Sequence, residues 1–170
     1  MKLNEDYWSF RYQTDQIGWD LGVISTPLKQ YIDQLENKSQ SILIPGCGNA
    51  YEAEYLLNNG FKNVTLVDIS NVLIEQLKER FYPDFEGRLN LIHGDFFEIS
   101  GQYDLIIEQT FFCALDPQLR NEYADKMNKL LVPNGKLVGV MFNRQFEKQG
   151  PPFGGTKDEY IEYFDHHFKL

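Results

Sequence analysis

Side chains able to form covalent or metal-bound cross-links are scarce in this chain. It holds two cysteines, Cys47 and Cys113, and three histidines in 170 residues. Two thiols are too few for a disulfide scaffold, and both sit in apolar stretches, as reduced thiols of a cytoplasmic protein do. A cysteine nucleophile needs a neighbouring base, and none is legible beside either. His93 falls on an apolar run and His166 and His167 are adjacent, so no metal-ligand spacing is present. Basic charge is short as well. Sixteen Lys and Arg face 25 Asp and Glu, a net charge of −9, which argues against nucleic acid and anionic membrane surfaces as partners. No apolar run approaches the roughly 20 residues of a membrane span, and Met1 to Asp6 lacks the profile of a secretory leader. Repeats, low-complexity tracts and interdomain linkers are absent. What remains is one globular domain over residues 1–170, with small molecules as its expected partners.

What is present alternates. Ser25-Thr26-Pro27 reads as a helix start, a hydroxyl N-cap with proline in the first turn, running on through Leu28, Tyr31, Ile32 and Leu35. Ser41 to Ile44 is a short apolar run ending in Pro45-Gly46, suited to a buried parallel strand. Ala50 to Leu57 is helical and stops at Asn58-Asn59-Gly60. Val64 to Asp68 is a second strand, after which Ser70 caps a helix through Leu73, Leu77 and Phe81. Leu89 to His93 and Tyr103 to Ile107 are the third and fourth strands. Asp116-Pro117 opens a helix through Met127 and Leu131 that Pro133-Asn134-Gly135 ends. Lys136 to Phe142 is a fifth strand, and Thr156-Lys157-Asp158-Glu159 is a capping box opening a last helix. Strands separated by helix-length crossovers predict a doubly wound α/β fold with a mostly parallel sheet.

The turn after the first strand, Gly46-Cys47-Gly48-Asn49-Ala50, lets backbone approach a ligand closely at a helix head. Alone it is weak, since glycines follow strands for conformational reasons. Asp68 lies 20 residues beyond Gly48, at the end of the second strand, where a carboxylate can accept both hydroxyls of a ribose. A dinucleotide fingerprint wants a third glycine where this chain has Tyr51, which disfavours a pyrophosphate and an NAD-linked oxidoreductase. Asp95 offers a carboxylate to an exocyclic amine and the Phe96 amide can meet an adenine ring nitrogen; the plain alternative for Asp95 is a loop-closing Asx turn. Trp8, Tyr12 and Trp19 precede the sheet, in residues 1–24. They either staple a helix onto the domain or form an aromatic lid whose faces suit a sulfonium cation.

These segments resemble the thiopurine S-methyltransferase family, closest to its thiol and halide methyltransferase branch. The likeness covers Trp8/Tyr12/Trp19-Asp20, Ile44-Pro45-Gly46-Cys47-Gly48, Val67-Asp68-Ile69-Ser70, Gly94-Asp95-Phe96-Phe97 and Tyr103 to Glu108. It continues through Phe111-Phe112-Cys113-Ala114-Leu115-Asp116-Pro117, Leu130 to Gly135 and Gly150-Pro151-Pro152-Phe153. The resemblance implies a Rossmann-like class I methyltransferase fold and S-adenosyl-L-methionine as cofactor. It implies cofactor contacts from Trp8, Tyr12, Trp19, Gly46, Gly48, Asp68, Ile69, Asp95, Phe96 and Gln109, and acceptor contacts from Trp19, Phe111, Phe112, Pro152 and Phe153. Two departures stand out: Glu108 replaces a frequent Asp, and Gln109 a frequent Arg or Tyr, which disfavours thiopurine itself as acceptor. Relatives continue past the last helix with two further strands, an antiparallel hairpin. This sequence stops at Leu170, so the fold is expected without that hairpin unless a tail is omitted, and as a monomer or weak homodimer.

Thiols near pKa 8.5 are partly ionised at neutral pH and halides need no deprotonation, so orientation alone can drive methyl transfer. No general base, catalytic residue or metal is therefore assigned. The expected acceptor is a thiol or a related sulfur, selenium or halide anion. O- or N-methylation of a small molecule, and a non-catalytic cofactor-binding module of the same fold, remain as alternatives.

Overall fold

The computed structural model describes residues 2–82 and 84–170. Five strands, β1 (Ser41–Pro45), β2 (Asn63–Asp68), β3 (Leu89–His93), β4 (Tyr103–Gln109) and β5 (Leu131–Val140), form one sheet in the order β3-β2-β1-β4-β5. Every pairing is parallel. The predicted mostly parallel, doubly wound α/β fold is what the chain adopts. Among the described residues the antiparallel hairpin is absent, and an isolated antiparallel bridge joins Arg144 to Gly155.

Side-chain alternation explains why both faces must be covered. Ile42 and Ile44 of β1, Val64 and Leu66 of β2, and Leu105 and Ile107 of β4 point to one face. There they meet Leu28 and Ile32 of α2 (Thr26–Ile32), Ala53, Leu56 and Leu57 of α3 (Tyr51–Asn58), and Leu73, Leu77 and Phe81 of α4 (Asn71–Phe81). Leu43, Val67 and Ile106 point to the other face, packing with Tyr123, Ala124, Met127 and Leu130 of α5 (Arg120–Leu130) and Tyr160 and Phe164 of α6 (Lys157–Phe164). Helix α1 (Glu5–Gln13) buries no residue and carries the aromatic segment.

Local signals hold in most places. The Ser70 hydroxyl accepts the Leu73 amide at the head of α4. Thr156 and Glu159 form a reciprocal capping box on α6. Two expectations need correction. Ser25 makes no capping hydrogen bond; its hydroxyl donates to the Gln109 side chain, 84 positions away. Helix α5 ends at Leu130, so Pro133-Asn134-Gly135 lies inside β5, at a bulge where Tyr103 pairs with Leu131 but Leu105 with Lys136. Asn134 takes the positive φ of 67° that this irregularity requires. The crossover from β3 to β4, residues 94–102, holds no helix. Lys126 pins it by donating to the Phe97 and Ile99 carbonyls at 2.6 and 2.7 Å.

The chain winds outward from β1 to β3, then returns to lay β4 on β1's other side. That reversal opens a crevice beyond the carboxyl ends of β1 and β4, where open α/β sheets bind their ligands.

Candidate active site

The crevice is a cavity of about 920 Å³, at the upper end of the roughly 300–1,000 Å³ that ligand pockets span. Beside β1 stands the glycine turn. Gly46 and Gly48 take φ of 54° and 50°, and Ala50 takes 56° at the head of α3, conformations open to glycine and costly for other residues. Gly46 is needed twice over, since a Cβ there would lie 2.2 Å from Cδ2 of Phe111.

Asp68 ends β2 and reaches the cavity with little of its surface exposed. Its carboxylate accepts the Ser70 amide at 2.9 Å. Burial raises its pKa to about 6, and nearby Ser70, Gly48 and Ile69 amides oppose that rise. It is a preformed acceptor with one edge committed to backbone. Asp95 does close an Asx turn, accepting the Phe97 amide at 2.9 Å, and it also lines the cavity. The two readings of this residue are therefore compatible. The Phe96 ring is core, against Phe111 and Tyr123, so the part of Phe96 available to a ligand is its backbone.

The aromatic segment folds over the opening. Trp8 meets Trp19 edge-on at 5.5 Å, and Tyr12 meets Trp19 at 5.9 Å. Tyr12 is half-buried against the core, and its desolvation, with the Asp68 and Cys47 charges behind it, drives its phenol pKa well up. Polar pairs dock α1: Ser9 Oγ lies 2.9 Å from Ser70 Oγ, and Glu5 pairs with His93 at 3.1 Å. Asp20 latches the following loop. It accepts from the Asn49 side chain and from the Tyr51 hydroxyl at 3.1 Å, and closes its own turn on the Gly22 amide. Tyr51, which breaks the dinucleotide pattern, thus holds the lid, and Arg80 stacks on its ring while donating to the Asn49 carbonyl. This latch spans residues 20 to 80 and left no periodic signal in the sequence.

Gln109, Thr110, Phe111, Cys113 and Pro152 also line the cavity. Two expected acceptor contacts do not line this cavity. Phe112 is a core residue, packed on Tyr123, Tyr160 and Phe164. Its turn sends Phe111 inward and Phe112 to the sheet. Phe153 is half-buried, with its amide donated to the Cys113 carbonyl at 2.7 Å. Glu108 is fully buried; it accepts the Phe112 amide at 2.9 Å, and burial lifts its pKa to about 7. The longer carboxylate fits because position 139 is glycine, where a Cβ would meet Glu108 Cγ at 3.0 Å.

Neither thiol is poised to attack. Burial lifts Cys113 to about 12 and Cys47 well above its ordinary value. Among the described residues no group of His, Cys, Asp and Glu could hold a metal ion, and no helix is long and apolar enough to cross a membrane.

A glycine turn, a buried carboxylate and an aromatic wall thus share one cavity, and the family model described as thiopurine S-methyltransferase matches residues 3–170. The chain belongs to the thiopurine S-methyltransferase family. It is 30% identical over 156 residues to the probable thiol methyltransferase 2 of Arabidopsis thaliana, covering 90% of this chain and 69% of that protein. It is 28% identical to the thiopurine S-methyltransferase of Acinetobacter baylyi, covering 96% and 86%. Among solved structures, the Burkholderia thailandensis 1,6-didemethyltoxoflavin-N1-methyltransferase, bound to 1,6-didemethyltoxoflavin and S-adenosylhomocysteine, superposes with a TM-score of 0.75 at 17% identity, covering 96% and 75%. The glycopeptide N-methyltransferase MtfA superposes with a TM-score of 0.61 at 17% identity, and the chain spans about half of it, 54%, while 72% of this chain is covered. At such identities these structures show the shared class I methyltransferase fold. Family members use S-adenosylmethionine, and the residues present fit it: Gly46 leaves room that a Cβ would fill, and Asp68 holds a buried acceptor facing the cavity.

Proposed function

We propose that the chain methylates a small nucleophile at the expense of S-adenosyl-L-methionine, the acceptor being a thiol or a related sulfur, selenium or halide anion. The observation that carries this reading is the aromatic-lidded cavity joining the glycine turn and Asp68 to the Gln109–Phe111 wall.

Asp68 would take the ribose hydroxyls and Ile69 the adjoining face. Asp95 and the Phe96 amide would take the adenine edge, and Gly46 and Gly48 the amino-acid portion. Trp8, Tyr12 and Trp19 would wall the cationic sulfur, whose attraction to ring faces is worth about 0.5–2 kcal/mol. Gln109, Phe111 and Pro152 would border the acceptor. The bound cofactor supplies a methyl group on cationic sulfur. The protein's own work is to orient two ligands and exclude water, which can account for about 7–11 kcal/mol of a barrier.

That requirement agrees with the state of the thiol and the carboxyl nearest Gln109 and Phe111. Cys113 is held protonated and Glu108 turns its carboxylate to the core. O- and N-acceptors usually need a base or a polar cage, which disfavours them. The net charge of −9 supports a small-molecule partner rather than nucleic acid or membrane, and cytoplasmic action as a monomer or weak homodimer completes the proposal.

A labelled-methyl assay tests the reading, with thiols, bisulfide, thiocyanate, iodide, a phenol and an amine as acceptors. Turnover of sulfur or halide acceptors is expected. An inert sulfur and halide set beside a methylated phenol or amine would overturn it.

A further inference from the structure

The cavity's charged lining is mostly acidic: Asp20, Glu52, Asp68, Asp95 and Asp116 stand around it, with Lys2 and Arg11 as cations. Arg11 is the unusual one. It sits on α1 between Trp8 and Tyr12, with its guanidinium 5.4 Å from the Trp19 ring centre and 5.9 Å from that of Tyr7. In a chain with nine excess negative charges, it forms no ion pair among the described residues. Its one side-chain hydrogen bond runs from Nη1 to Gln16 Oε1 at a long 3.4 Å. Nε is buried with no partner at all.

Such an arrangement is costly unless something completes it. A buried N–H without an acceptor is destabilising, the more so when it belongs to a charged group. Arg11 lines the cavity, and a guanidinium fork matches the two oxygens of one carboxylate. The stacked rings hold the plane in place, so little rotamer freedom remains to be lost. The surrounding acids select against a more highly charged anion by repulsion.

We propose that Arg11 is the carboxylate receptor of this cavity, a specificity residue that binds a monoanionic carboxylate through its guanidinium. The inference rests on the methyltransferase reading. Within it, two sources share the chemistry: the amino-acid carboxylate of the cofactor, and a carboxylate carried by the thiol acceptor.

Arg11→Met keeps the length and apolar packing on Trp19 while removing the fork, and Arg11→Lys keeps the charge without it. Calorimetry with S-adenosylhomocysteine and with its decarboxylated analogue tests the first source. Comparing kcat/KM for 4-mercaptobenzoate with that for thiophenol tests the second. Losing one two-point charged contact is worth about tenfold or more in affinity. If the cofactor is the source, R11M loses that factor for S-adenosylhomocysteine and not for the analogue. If the acceptor is the source, the preference for 4-mercaptobenzoate falls by the same factor while cofactor affinity holds. R11K restores part of either loss. Equal effects on carboxylated and uncarboxylated ligands, or none, would overturn the inference and leave Arg11 as a brace for Trp19. Wild-type protein that binds no S-adenosylhomocysteine would instead overturn the methyltransferase reading, and this inference with it.

Discussion

Asp68 and Gly46, the proposed cofactor contacts, shape the cavity by opposite means, one by a charge held in a buried place and the other by an atom it lacks. Because burial lifts Asp68 to about 6 and hydroxyl donors favour its ionised form, S-adenosylhomocysteine affinity is expected to fall as pH drops through about 6. Asp68→Asn flattens that dependence and weakens binding by about ten- to a hundredfold, the worth of hydrogen bonds to a charged group; calorimetry across pH 5 to 8 checks both. Gly46→Ala drives a methyl into the Phe111 ring and adds about 1–2 kcal/mol of backbone strain. It should abolish cofactor binding while circular dichroism still shows the fold. With both thiols protonated, replacing Cys47 and Cys113 by serine should leave kcat within a few-fold of wild type, and a collapse of turnover in folded protein would reinstate a cysteine nucleophile.

Helix α1 has no fully buried residue, and Tyr12 is its half-buried apolar hold on the core, far less than α3 or α4 has. Its place depends on Ser9–Ser70, Glu5–His93 and the Asp20 latch on Asn49 and Tyr51. Asp20→Ala removes the latch, loosening the lid by about 1–2 kcal/mol at ordinary hydrogen-bond worth. Both tryptophans of the chain, Trp8 and Trp19, lie in this segment, so intrinsic fluorescence reports the lid directly. Acrylamide quenching should rise in Asp20→Ala and the KM for cofactor with it, while Tyr51→Phe gives a smaller change. Unchanged quenching would show that aromatic packing alone seats the lid.

Across the whole molecule, stability carries the mark of a buried acid. Glu108 has a folded pKa of about 7 against an ordinary 4.5. The folded state therefore binds more protons than the unfolded chain between those values, and stability falls as pH rises through that window. The loss attributable to Glu108 is about 3 kcal/mol between pH 4.5 and 7. Urea unfolding at several pH values should show it, and Glu108→Gln should flatten the curve while its amide oxygen still accepts the Phe112 amide.

The strand and helix periods, the caps at Ser70 and Thr156, and the glycine turn with Asp68 beyond the next strand were all legible in the amino-acid order. Each rests on neighbours a few positions apart: alternation exposes a strand's faces, an N-cap serves its own helix, and a βα turn follows its strand. They determined the doubly wound fold and the cofactor side of the cavity. The tertiary structure decided what depends on distant partners. It sent Ser25 to Gln109 instead of its own helix, and it turned Phe112 into the core and Phe111 into the cavity. It also gave Tyr51 the latch on Asp20 and left Arg11 at the cavity with no ion pair among the described residues. Adjacent residues on a tight turn diverge, and a polar side chain's partner is whatever the packed sheet brings within about 3 Å; local periodicity carries no record of either.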